Sequence, residues 1–67
     1  MRQSNASRFI NSNLDVNDGY AVICTAEALA RFMQCSSEEV FEGALNSEVA
    51  RDYLIRVMRN LQNQSTN

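Results

Sequence analysis

The clearest hydrophobic pattern lies near the end of the chain. Val49, Tyr53, Val57 and Leu61 form one row on a helical wheel, and Ala50, Leu54 and Met58 form the adjoining row. Together they make a broad apolar stripe, which predicts a helix from Glu48 to about Gln62, capped by Asn46 or Ser47. Upstream, Ser36-Ser37-Glu38-Glu39 has the form of a capping box: the Ser36 hydroxyl can accept from the Glu39 amide while the Glu39 carboxylate reaches back to the Ser36 amide. A helix is therefore expected from about Ser37 to near Asn46, carrying Val40, Phe41, Ala44 and Leu45 inward. Before it, Ala28, Leu29, Phe32 and Met33 recur at helical spacing, with Glu27 and Arg31 four residues apart on the outside.

The earlier part of the chain is less strongly patterned. Tyr20 to Cys24 is apolar throughout, and periodicity over so short a run does not separate a buried strand from a helix. Helix is favoured because Asp18 can cap it and helix formers follow without a Gly or Pro break. Asn17-Asp18-Gly19 is a turn signal. Phe9, Ile10 and Leu14 can make a short helical face capped by Ser4 or Ser7, although Asn11, Ser12 and Asn13 are poor helix formers. Residues 1–7 and 62–67 are almost wholly polar, so both ends are expected to fray. The sum is a single all-α domain, a small bundle of three to four short helices with the longest at the C-terminus.

From Thr25 to Leu45, about a third of the chain, the sequence resembles the helix-turn-helix superfamily of DNA-binding regulators. Leu29 is an apolar position of that motif and Ala30 the small residue where its helices cross, with Met33, Cys35 and Val40 as further apolar positions. The resemblance implies a hairpin whose second helix, Ser36 to Leu45, enters the major groove, while Arg51, Arg56 and Arg59, with Arg2 and Arg8 in an arm, contact phosphates. The sequence departs from the motif at informative places. Gln34 stands at the turn where the motif favours Gly for its positive φ, and Gly43 stands where the second helix should pack inward. The leading residues of the reading helix are Ser37, Glu38, Glu39 and Glu42, with no Arg, Lys, Gln or Asn before Leu45. Carboxylates there face phosphate unfavourably, and the net charge of −2 adds to the opposition.

Composition narrows the function further. The 67 residues contain six Arg, no Lys and no His, against eight Asp plus Glu. Without His the commonest general base and metal ligand is missing, and Tyr20, Tyr53, Cys24 and Cys35 have no evident activating partner. Two cysteines alone do not complete a zinc site. The expectation is a protein that is not an enzyme and uses no metal or cofactor. Cys24 and Cys35 each sit in an apolar pattern and read as reduced thiols in the core. No run is long enough to span a bilayer, and the polar opening lacks the apolar stretch of a signal peptide, so the expected location is cytoplasmic.

A domain near this size buries only about 60% of its unfolded surface, so a second copy is a natural source of added stability. Two surfaces are candidates for partner binding. The first is the acidic helix start of Glu38, Glu39 and Glu42, which can face a basic groove or serve simply as a solvated, dipole-stabilised first turn. The second is Ile55, placed opposite the Val49–Leu61 stripe and flanked by Arg51, Arg56 and Arg59, which suits a helix-in-groove or dimer contact. The expected function is a small regulatory or inhibitory protein, of phage or plasmid type, that binds a protein partner and forms a homodimer through its last helix. The alternative is a helix-turn-helix transcription regulator.

Overall fold

A computed structural model describes residues 3–65. The chain folds as α1 (Asn5–Asn13), a single 3₁₀ turn (Val16–Asp18), α2 (Gly19–Met33), α3 (Ser37–Asn46) and α4 (Glu48–Ser65). It is an all-α bundle with no strand among the described residues. The Cα radius of gyration of 11.3 Å is close to the roughly 11 Å expected for a compact chain of this length, so the helices share one core.

Helices α1, α3 and α4 each start where a serine hydroxyl accepts from an amide that has no carbonyl partner. Ser4 accepts from the Ser7 amide at 3.1 Å, Ser36 from the Glu39 amide at 3.2 Å, and Ser47 from the Ala50 amide at 3.3 Å. Asp18 precedes α2 but makes no side-chain cap bond. Its carboxylate instead accepts from Gln62 Nε2 at 3.4 Å and lies 3.9 Å from the Arg59 guanidinium, tying the start of α2 to the end of α4.

Between α2 and α3 the chain turns through Gln34, in the left-handed region at φ 60° and ψ 44°. The Gln34 amide donates to Arg31 O at 3.3 Å and the Cys35 amide to Ala30 O at 2.9 Å. This pair of bonds is a Schellman closure, which satisfies the last carbonyls of α2.

The core consists of Phe9 from α1, Val22 and Ala26 from α2, Phe41 and Ala44 from α3, and Leu54 and Met58 from α4. Helix α3 packs on all three other helices, and Phe41 meets Phe9 at a ring-centroid distance of 5.6 Å with the planes tilted by 50°. A tilted aromatic pair of this kind contributes about 1 kcal/mol beyond burial alone. The one buried polar side chain among the described residues, Thr25, donates its hydroxyl to Ala21 O at 2.9 Å.

Several faces are turned differently from the sequence expectation. The inward residues of α2 are Val22, Thr25, Ala26 and Ala30, while Ala28, Phe32 and Met33 are exposed. Small residues let α2 approach its neighbours closely, and Phe32 and Met33 occupy its last turn, where the chain veers away. On α4 the Leu54–Met58 row faces the core, but Val49, Tyr53 and Leu61 are exposed. Tyr53 carries a hydroxyl that water satisfies more readily than an apolar core does. Cys24, expected in the core, is exposed, and Cys35 is half-buried; both are free thiols. Residues 5–7, expected to fray, belong to α1, and α4 continues past Gln62 to Ser65. Expectations for Met1, Arg2, Thr66 and Asn67 fall outside the described residues.

Candidate protein-binding surfaces

The acidic start of α3 divides into two parts. The Glu38 side chain turns toward α1, where Oε2 accepts from the Asn5 amide at 3.0 Å and Oε1 from the Ala6 amide at 3.4 Å. Asn5 Nδ2 returns a bond to the Glu38 carbonyl at 3.2 Å. A carboxylate across the first amides of a helix is favoured by both hydrogen bonding and the helix dipole. Glu38 is thus a latch between α1 and α3. Glu39 and Glu42 remain exposed and make no ion pair among the described residues. With Gly43 and Asn46 they form one outer face of α3 by helical spacing. A Cβ added at Gly43 would meet nothing within 4 Å, so no neighbour within the fold requires the glycine.

The surface expected around Ile55 is rearranged. Ile55 is partly buried and packs against the core cluster, so the aliphatic centre of that surface is not free. The wheel placed it opposite the Val49–Leu61 row, but the buried arc of α4 extends across Leu54 and Met58 to reach it. Arg51 turns to Asp52, with Nε at 3.2 Å and Nη2 at 3.1 Å from Oδ1. Arg59 lies near Asp18 as described, and Arg56 is exposed with no ion pair among the described residues. Helical spacing would also allow the acid-first pairs Glu48–Arg51 and Asp52–Arg56, but the ion pair formed is that of the neighbours Arg51 and Asp52.

Exposed apolar side chains occur where the sequence did not place them. Phe32 is 87% exposed, Tyr20 81% and Val49 80%. On α4, Val49 and Tyr53 join Asp52 and Arg56 around a shallow groove of about 270 Å³. A second cleft, of about 320 Å³, lies between the ends of α1 and α3 and the start of α4, bordered by Asn13, Asn46, Glu48 and Arg51. The signal for the first groove was present in the sequence as the Val49–Leu61 row, whose tyrosine marks it as the wetter of the two apolar rows.

On the outer side of α2, a hydrogen bond with the Cys24 side chain, with smaller contributions from the charges of Cys24 and Glu27, pushes the Tyr20 phenol above its ordinary value. Among the described residues, no three Cys, Asp or Glu side chains come together as metal ligands, and no helix is long and apolar enough to cross a membrane. No family model matches this chain, and no curated protein or solved structure is significantly similar to it.

Proposed function

We propose that this chain is a small regulatory or inhibitory protein that acts by protein–protein binding and works as a homodimer. The observation that carries this reading is the exposure of large apolar side chains: Tyr20, Phe32 and Val49 are each at least 80% exposed. Isolated exposed apolar residues are ordinary. Here, however, only five large side chains are fully buried among the described residues, so a large share of their capacity for apolar contact lies on the outside. Contact with another protein would use such residues, and Glu39 and Glu42 separately give the outer face of α3 an acidic character suited to a basic partner.

A second reading, a DNA-binding regulator, draws support from the tight left-handed turn at Gln34 between α2 and α3. The chemistry of α3 opposes it, because the face that would enter a groove carries carboxylates and no Lys or Arg. Light scattering of the purified chain, alone and with mixed-sequence duplex DNA at low salt, separates the readings. A mass above that of one chain, unchanged by DNA, is the expected result. A DNA complex that dissolves on adding salt would replace this function with the helix-turn-helix one.

A further inference from the structure

The groove on α4 contains both halves of an arginine-recognition site. Val49 and Tyr53 supply apolar and aromatic walls, and Asp52 adds a carboxylate to the same lining. A guanidinium is the group that an aromatic face and an adjacent carboxylate hold together, by stacking and by hydrogen bonding. Arg51 engages only Oδ1 of Asp52. The guanidinium of Arg56, on the border of the same groove, has no ion pair among the described residues.

A patch that offers an arginine and also a receptor for one is complementary to itself. Two-fold symmetry is the arrangement that uses both halves twice. We infer that this groove is the homodimer seam, in which two α4 helices lie antiparallel and each Arg56 enters the groove formed by Val49, Asp52 and Tyr53 of the other copy. An axis crossing α4 between residues 54 and 55 sets position 56 of one helix against positions 52 and 53 of the other. Both receptor groups then meet the same guanidinium.

The choice of a second copy over an unrelated arginine-bearing protein rests on this charge complementarity. The donor and the acceptor lie one helical turn apart on one face, so docking satisfies both without any foreign group. The assignment rests on the reading that the chain works through protein contacts, and it moves the dimer contact away from the Ile55 side. The size of the seam also limits its strength. Helix α4 has 18 residues and is about 27 Å long. A single helix face is small beside the roughly 800 Å² per partner of a standard interface, and a weak dimer, with a dissociation constant on the order of micromolar, is the expectation.

Charge exchange tests the seam without disturbing the core, because Asp52 and Arg56 are both exposed. D52R places two arginines together at each of the two contacts, and R56D places two aspartates together. Each variant alone should weaken dimerisation by about tenfold or more, measured by sedimentation velocity with helicity monitored by circular dichroism. An equimolar mixture of the two should restore the wild-type mass as a heterodimer, and the double exchange D52R/R56D should restore a homodimer. If wild type dimerises but the single exchanges do not weaken it, or the mixture fails to rescue, the seam is elsewhere and the protein-contact reading stands. If wild type stays monomeric up to about 1 mM, this dimer is excluded. The DNA experiment then decides the broader reading on its own.

Discussion

Glu38 spans two helices, and its loss should be felt in the core. Its carboxylate oxygens accept from the amides of Asn5 and Ala6, and the helix they begin delivers Phe9 to Phe41. Glu38→Ala should cost about 1 kcal/mol, the usual effect of losing a helix-start acceptor. Glu39→Ala and Glu42→Ala, which remove no contact within the fold, should stay within about 0.5 kcal/mol of wild type. Urea denaturation of the three variants checks this, and equal effects at all three positions would show that the latch carries no energy. Gln34 offers the opposite case, since its φ of 60° costs a side chain with a Cβ more than it costs glycine. Gln34→Gly keeps the Schellman bonds, which are made by the backbone. Relief of that strain exceeds the added freedom of the unfolded chain, so the substitution should stabilise the fold by roughly 0.5–1 kcal/mol. A lower urea midpoint for this variant would mean that the Gln34 side chain makes a favourable contact of its own.

At the scale of the helices, ends were easier to read than faces. Ser36 and Ser47 mark the starts of α3 and α4 because a cap is a local feature: a short side chain and the amides within three residues of it. The positive φ at Gln34 was suggested only by the position's place in the motif the sequence resembles, since glutamine itself does not mark a left-handed turn. The inward face of a helix is set by distant partners, and there the pattern allowed two answers. On α4 the apolar stripe is wider than the contact that α2 and α3 provide, so either the Val49–Leu61 row or the Leu54–Met58 row could have packed. The structure buries the second and takes Ile55 with it. On α2 the large side chains Phe32 and Met33 suggested an inward face, yet Val22, Ala26 and Ala30 take it. Periodicity does not register that small residues allow closer helix approach. The candidate surfaces inherited these errors of phase. The Arg-rimmed face lost its free aliphatic centre at Ile55, and the groove at Tyr53 lay on the row assigned to the core. The Glu38 latch joins residues 33 apart in sequence, a separation over which local spacing carries no information.

For the whole molecule, size couples the dimer to stability. A chain of 67 residues is expected to be stable by only about 3–10 kcal/mol, so even a weak association that involves folded chains alone is a visible fraction of the total. Above its dissociation constant, a dimer in which both copies must unfold gains about 1.4 kcal/mol for each tenfold rise in concentration, or about 0.7 kcal/mol per chain. For a domain this small the corresponding rise in melting temperature is about 3–5 °C. Wild type should therefore melt at a temperature that climbs with concentration across the micromolar range, while D52R, with its seam charges opposed, should begin that climb only at concentrations about tenfold or more higher. The contrast separates a seam at Asp52 and Arg56 from nonspecific clustering through Phe32 or Tyr20, because clustering would persist in D52R and its melting temperature would climb over the same concentrations as that of wild type. A concentration-independent melt for wild type, under conditions where its mass is that of a dimer, would mean that association adds nothing to the folded state and that the helices meet without burying the groove.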